Sequence, residues 1–308
     1  MHKTIPNEAS LTIVVPIYNE ADSLQTFLPD LLETCNKNGW SVVFVNDGST
    51  DDTAQHLADC MEQGFTRVIT HKLNRGYGGA LKTGILAAKT SHLVTIDSDG
   101  QHAVSDIEPL FRFAVEHGAD MVVGDRSGAK GKTSFRDLGK WLIKGFTKLL
   151  MPLPINDLNS GFKLYRTNLA QKYIALCPNS MAFSDVITLA FINQRCLVLE
   201  YPISIRERKS GRSTISVQTA FDTVMEIINL VLLFNPLRIF LPLSTICILA
   251  GFGWGIPFML LGRGVSVGAM LAIVTGLLFL ILGLIASQLS AMRIGLIENA
   301  PSWDNSNE

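Results

Sequence analysis

Charged residues are scarce in this chain: Asp, Glu, Lys and Arg make up 17% of the 308 residues, while hydrophobic residues reach 47%. Mean hydropathy is +0.28, high for a wholly soluble enzyme, so membrane-spanning segments are the first thing to look for. Neither sign of charge dominates. A formal net charge of −1 argues against nucleic acid as a partner, which would call for a basic footprint. Cysteine is sparse and unpatterned: Cys35, Cys60, Cys177, Cys196 and Cys247 are odd in number and contain no CxxC spacing. That excludes a disulfide framework and a cysteine zinc site, and fits thiols in a reducing compartment. The opening MHKTIPNEASLTIVVP lacks a long apolar run with a small-residue cleavage site. No signal peptide is expected, and the bulk of the chain is expected in the cytosol.

The apolar residues are concentrated late in the chain. Residues 239–262 carry no charge, Arg263 interrupts, and residues 264–292 again carry none. Each stretch exceeds the roughly 20 residues needed to cross a bilayer core. Buried core helices are the alternative, but those rarely run so long without a polar face. Pro242, Gly251, Gly253, Pro257, Gly276 and Gly283 fall inside the stretches and are tolerated in membrane helices. Two spans joined near Arg263 leave their outer ends on one side. Arg206, Arg208, Lys209, Arg212, Arg238 and Arg293 flank those ends, against one cation in the turn, so the positive-inside bias also puts the N-terminal part in the cytosol. Before the first span, Val217, Phe221, Val224, Met225, Ile228 and Leu232 follow helical spacing. An amphipathic helix at the membrane surface and a plain packing helix both satisfy that pattern. The organisation expected is an α/β domain over 1–213, a juxtamembrane helix over 214–235, two membrane helices over 236–292 and a polar tail over 293–308. Small residues in the spans permit close helix packing and hence a homo-oligomer.

Residues 1–205 read differently. The β-rich runs LTIVVPIY, SVVFVND, RVITHKL, HLVTIDSD and MVVGDR alternate with helical stretches such as SLQTFLPDLLETCNKNG. This alternation implies right-handed βαβ units and a mostly parallel, Rossmann-like sheet. Ligands of such sheets bind beyond the carboxyl ends of the strands, and three polar clusters fall there. Pro16-Ile17-Tyr18-Asn19-Glu20 follows LTIVV; by itself it is a strand-to-helix turn with Asn19 or Asp22 as a helix cap. VNDGSTDDT (45–53) follows SVVF, and turn chemistry explains its Gly48 and Ser49. It does not explain Asp47, the last residue of a buried strand, where an unpaired carboxylate is costly; a role facing a ligand, accepting a hydrogen bond from a nucleobase edge, does. Asp97-Ser98-Asp99-Gly100-Gln101-His102 follows LVTI, and two carboxylates two residues apart can converge on a hard divalent cation with phosphate oxygens. An EF-hand loop is excluded, because His102 stands where that loop needs glycine. Gly76-Tyr77-Gly78-Gly79 fails as a dinucleotide fingerprint at Leu81, and Gly131-Lys132-Thr133 fails as a phosphate loop at Arg126.

In order and spacing, VVPIYNE, VNDGSTDDT, NRGYGGALKTG and IDSDGQH resemble the inverting family 2 glycosyltransferases of GT-A fold. GDRSG, DLNSGFKLYR, RERKSGRS and the NPLRIFLP entry into the spans resemble its polyprenyl-phosphate branch, of bactoprenol glucosyltransferase or dolichyl-phosphate mannosyltransferase type. The resemblance covers residues 10–292 and is specific as an ordered set. It implies a GT-A catalytic domain followed by two C-terminal transmembrane helices, on the cytosolic face of a bacterial inner membrane. It implies that Pro16, Tyr18, Glu20 and Asp47 line the nucleotide pocket, with Asn74 and Gly76 near the nucleoside. Asp97 and Asp99 would be the DxD pair and Gln101 a further ligand of Mg2+ or Mn2+. Arg126, Arg136, Arg206 and Arg208 would gather around the acceptor phosphate, with Asp157 and Ser160 beside the transfer centre. Asp157, Asp99, Arg126 and Arg136 are thus the catalytic candidates. Lys163 and Arg212 depart from the usual Arg and Lys, keeping charge but altering bidentate geometry.

The activity implied is transfer of a sugar from a nucleotide-sugar, UDP-glucose before GDP-mannose or UDP-GlcNAc, to polyprenyl phosphate with inversion. A transferase with another lipid or glycan acceptor is the rival; the QxxRW motif of processive synthases is absent, since Gln194 and Arg195 are adjacent and no Trp follows. A non-catalytic nucleotide-sugar-binding scaffold is the other alternative, against which Asp47, Asp97 and Asp99 stand.

Overall fold

The computed structural model describes residues 10–126, 155, 157–158, 160–204, 228 and 231–298. They form two compact units, one from the residues before 205 and one from residue 228 onward.

The first unit is a seven-stranded sheet whose first half follows the βαβ reading. Strand β1 (Leu11–Ile17), helix α1 (Ala21–Asn38), β2 (Ser41–Asn46), α2 (Thr53–Ala58), β3 (Thr66–Thr70), α3 (Tyr77–Ala87), β4 (His92–Thr95), α4 (Ile107–His117) and β5 (Met121–Asp125) follow in order. Then come β6 (Lys163–Arg166), α5 (Thr167–Tyr173), α6 (Phe183–Asn193) and β7 (Val198–Pro202). The strand order is β3-β2-β1-β4-β6-β5-β7. Every pairing is parallel except those of β6, which runs antiparallel to β4 and β5. All seven residues of β1 are buried, as expected of a central strand covered on both faces. The helices dock through apolar stripes: Ile107, Leu110, Phe111 and Ala114 of α4 are buried at i, i+3, i+4 and i+7. Phe111 meets Trp40 edge-on at 6.2 Å between ring centroids. Strands β6 and β7 were not expected from the sequence, being short and carrying the charged Lys163 and Glu200.

In the second unit, α7 (Leu237–Leu260) and α8 (Val267–Glu298) pack against each other. Both are long and apolar enough to cross a membrane. Large apolar side chains on both stay exposed, among them Ile246, Leu249, Trp254, Leu271, Ile281 and Leu289, which a soluble core helix would bury. The helices approach closely where side chains are absent: a Cβ on Gly251 would lie 2.6 Å from Ile273 Cγ1, and one on Gly276 as close to Ile248 Cγ1. Helix α8 runs past residue 292, where composition puts its end. The juxtamembrane helix expected over 214–235 falls outside the described residues except at 228 and 231–235, of which Val231 and Phe234 are buried. The tail from 299 onward also lies outside them.

One buried charge ties the second half of the sheet together. Lys163 at the start of β6 is fully buried, and its Nζ donates to Leu158 O (2.7 Å), Ser184 O (2.6 Å) and Thr188 Oγ1 (2.8 Å). These bonds join the segment before β6 to α6. Burial pushes the ammonium from its ordinary 10.5 down to about 8, against the pull of Asp185 and Asp157. Between those values the unfolded chain holds more protons than the folded one, so this group's contribution to stability rises with pH. Lys163→Met strands three acceptors and is expected to cost about 3 kcal/mol at pH 7. The gap to the parent should widen between pH 8 and 10 in thermal unfolding followed by the fluorescence of buried Trp40.

Candidate functional site

Because β2 and β4 flank β1 on opposite sides, the strand order reverses at β1, and a crevice opens at the carboxyl ends there. The observed cleft, about 340 Å3, lies at that place. It is lined by Pro16, Tyr18, Glu20, Asp47, Asn74, Asp97 and Asp99 among the residues singled out from the sequence, and by Ile17, Tyr77, Ala80, Ser98 and Met181 besides. The three motif segments thus meet in one cavity.

Their loops are knitted to one another. Asn19 has φ 52°, a left-handed conformation Asn tolerates. Its Oδ1 accepts the Thr50 N–H (2.8 Å), and its own N–H donates to Ser49 Oγ (3.0 Å). The N–H groups of Glu20 and Ala21 donate to Thr53 Oγ1 and Asp51 Oδ2. Asn19 and Asp22 therefore do not cap α1; the loop after β2 supplies acceptors to its start. Glu20 Oε2 accepts the Ser23 hydroxyl at 2.7 Å.

Asp47 differs from its expected state. It is buried but not unpaired: Oδ1 is bonded to His71 Nδ1 (2.6 Å) and accepts the Arg75 N–H (2.9 Å). The cost of burying the carboxylate, which argued for a ligand, is offset within the protein. Asn74 Oδ1 accepts the Gly76 N–H (2.7 Å), shaping the turn into α3.

On the far side of β1 from Asp47, after β4, Asp97 is fixed from two sides. Its Oδ1 accepts the Tyr77 hydroxyl at 2.8 Å, and its Oδ2 lies 2.4 Å from where a Cβ on Gly161 would sit. Only glycine leaves room for that carboxylate. Burial pushes the Asp97 carboxyl up, with the Asp99 charge adding to the rise and the Tyr77 hydrogen bond, His102 and Arg126 opposing it. Asp99 Oδ1 accepts the Gln101 N–H (3.0 Å), and the Gln101 amide side chain donates to Asp99 Oδ2. His102 stacks on Phe162, 5.3 Å between centroids. Burial, with Arg126, holds His102 below its ordinary value against the pull of Asp97, Asp99 and Asp157.

This donor set fits a hard divalent cation. Asp97 and Asp99 repel each other, and their oxygens with the Gln101 amide oxygen are of the type Mg2+ and Mn2+ prefer. Among the described residues no three His, Cys, Asp or Glu side chains form a ready cage, so an ion held here would draw its remaining ligands from phosphate or water oxygens, as is usual for Mg2+.

Arg126, at the end of β5, and Asp157 form a fork: Nε to Oδ2 at 2.6 Å and an Nη nitrogen to Oδ1 at 2.8 Å. The Asp157 N–H donates to Glu200 Oε1 (3.0 Å). Burial alone would raise the Asp157 carboxyl, but the bonds and charge of Arg126 outweigh it and hold it below the usual carboxylate range. Ser160 is fully buried with its hydroxyl towards Phe162 O (3.4 Å), and does not line the cleft. Arg136, Arg206 and Arg208 lie outside the described residues. Sequence reasoning missed Tyr77, His71 and Met181. Tyr77 lies both in the glycine-rich turn set aside as a dinucleotide fingerprint and in the segment NRGYGGALKTG that carries the family resemblance, but neither singled it out.

Comparison with known proteins places this geometry. The family model described as glycosyl transferase family 2 matches residues 12–174, and that of the GtrB C-terminal hairpin matches residues 235–292. The undecaprenyl-phosphate 4-deoxy-4-formamido-L-arabinose transferase of Edwardsiella ictaluri is 26% identical over 255 residues, 82% of this chain and 76% of that one. Its counterpart in Pectobacterium carotovorum is 25% identical over 264 residues, 84% and 78% of the two chains. Among solved structures, glucosyl-3-phosphoglycerate synthase from Mycobacterium tuberculosis, in complex with Mn2+, UDP-glucose and phosphoglyceric acid, matches with a TM-score of 0.56. That match covers 72% of this chain and 80% of that one at 15% identity, a likeness of fold: the first unit has the GT-A fold.

Gly161→Ala sets a methyl group against the Asp97 carboxylate and must displace it. Titration calorimetry of the variant with Mn2+ should show affinity reduced about 10-fold or more, the usual cost when the support of a metal ligand is disturbed.

Proposed function

Because the chain belongs to glycosyl transferase family 2, we propose that it transfers a sugar, glucose from UDP-glucose in the first instance, to polyprenyl phosphate with inversion. The observation that carries this reading is that one cleft is lined both by Asp47, which follows β2, and by the Asp97–Asp99 pair, which follows β4 on the other side of β1. That arrangement suits a nucleoside diphosphate, with its base on one carboxylate and its charge near the other two. The acceptor follows from the relatives, undecaprenyl-phosphate transferases by name, whose likeness covers most of this chain. The apolar hairpin suits an enzyme working beside lipid, at the cytosolic face of a bacterial inner membrane.

In this reading Pro16, Tyr18, Glu20, Asn74 and Gly76 shape the nucleoside pocket around Asp47, and Ser160 supports the segment beside the sugar. Asp97, Asp99 and Gln101 hold Mg2+ or Mn2+, which when bound supplies positive charge to the departing diphosphate. The acceptor is a phosphate monoester with a second pKa near 6, mostly dianionic at neutral pH, so it attacks without a general base. Asp157 suits that scheme. Held ionised by Arg126, it is a poor proton acceptor, and its work is to aim the guanidinium and orient the sugar. Arg126, with Arg136, Arg206 and Arg208, then holds the lipid phosphate in line with the anomeric carbon.

The test is transfer of radiolabelled sugar from UDP-glucose, GDP-mannose and UDP-GlcNAc to polyprenyl phosphate in detergent, with Mg2+ or Mn2+ and with EDTA. Organic-extractable label from UDP-glucose, abolished by EDTA and reduced about 10²-fold or more in Asp99→Asn, is the expected result. No labelled lipid from any donor, with the protein folded and binding nucleotide, would sink the polyprenyl-phosphate assignment.

A further inference from the structure

The buried bonds behind Asp47 go beyond what a cleft wall needs. Parallel pairing of β2 with β3 sets Asn46 opposite Thr70, and the His71 N–H continues the ladder to Asn46 O at 2.9 Å. The next residues, Asp47 and His71, are thereby brought side by side. Their side chains are only 3% and 5% exposed and 2.6 Å apart. The far nitrogen of the ring, Nε2, lies 2.9 Å from Thr83 Oγ1, and that hydroxyl donates to Gly79 O within α3 at 3.1 Å. The imidazole is therefore anchored on both sides, between the end of β2 and the first turns of α3.

The consequence for Asp47 is directional. A carboxylate oxygen has two lone-pair sites, and both of those on Oδ1 are taken, one by His71 Nδ1 and one by the Arg75 N–H. A side-chain bond from His71 and a backbone bond from Arg75 together hold that oxygen in place. Among the described residues Oδ2 accepts no hydrogen bond, and Asp47 lines the cleft. The site thus offers a base one acceptor oxygen and not the pair. Guanine presents two adjacent N–H groups on its pairing edge and matches a carboxylate with both oxygens free. Uracil presents one ring N–H between two carbonyls, whereas cytosine has no proton at that ring nitrogen and donates on this edge only from its exocyclic amine, one position away.

We infer that His71 is a positioning residue for donor recognition: by holding Asp47 Oδ1 with Thr83 behind it, it leaves a single acceptor that selects a uridine nucleotide over guanosine and cytidine nucleotides. This rests on the reading of Asp47 as the base-facing carboxylate of a nucleotide-sugar transferase. Selection by one hydrogen bond from a fixed polar group can be steep: a base with no N–H at that place leaves a buried acceptor unpaired, and guanine leaves one of its two N–H groups without a partner.

The experiment is calorimetric titration of the full chain in detergent with UDP, GDP and CDP in the presence of Mn2+, and with Mn2+ alone. The parent should bind UDP at least about 10-fold more tightly than GDP or CDP. His71→Leu should lose about 10- to 100-fold in UDP affinity, as supporting-residue variants do, with the preference over CDP shrinking in step and Mn2+ affinity unchanged. His71→Asn, whose amide can replace the Nδ1 donor, should recover most of both. Thr83→Val, which removes only the far anchor, should shift the UDP-to-CDP ratio the same way by less, and decides the matter if His71→Leu does not fold. An unchanged ratio in these variants overturns the role of His71. A parent that prefers GDP overturns the selection of uridine while leaving a nucleotide-sugar transferase standing. A folded parent that binds none of the three nucleotides overturns the transferase reading itself, and this inference with it.

Discussion

Carboxylates at the ends of buried strands are the constraint around which this molecule is organised. Asp47 is buried and Asp97 half-buried, and each requires a fixed partner. The partners found are His71 and the Arg75 N–H for one, and the Tyr77 hydroxyl for the other. All three come from the single stretch 71–77 between β3 and α3, which runs across the open ends of β2, β1 and β4. That stretch leads into α3 and supplies Asn74 and Tyr77 to the cleft lining. What is left unsatisfied faces the cavity: one oxygen of Asp47 and the mutual repulsion of Asp97 and Asp99. A ligand bringing one N–H and a divalent cation relieves both.

The second half of the sheet serves a different need. Strands β5, β6 and β7 carry Arg126, the segment leading to Lys163, and Glu200, and these lock Asp157 in place from three directions through its carboxylate, its neighbouring chain and its N–H. An aspartate so held is ionised and committed. It fits a reaction in which the nucleophile arrives already deprotonated, and would suit poorly an acceptor hydroxyl that has to surrender a proton. The acceptor chemistry and the state of Asp157 are in this sense one argument.

Much of this was legible in the sequence, and the parts that were not share a cause. The strands β1 to β5 announce themselves as apolar runs, and the crevice follows from their order, so Asp47, Asp97 and Asp99 could be placed at strand ends from spacing alone. Strand β6 opens with a buried lysine whose three acceptors lie on other segments, and nothing local distinguishes it from an exposed one. The Asp47–His71 pair spans 24 positions, and Tyr77–Asp97 spans 20; periodicity carries no record of such contacts. The glycine at 161 reads as a turn residue, while its structural reason is a carboxylate arriving from β4.

The most direct test of the account is the structure of the full chain with UDP and Mn2+, the ion located by its anomalous scattering. The account predicts the uracil ring N–H on the Asp47 oxygen that His71 leaves free, the ion between the diphosphate and Asp97 and Asp99, and the Arg126–Asp157 fork intact. A nucleotide bound outside the cleft, or one inside it whose base makes no contact with Asp47 and whose ion avoids the Asp97–Asp99 pair, would contradict it.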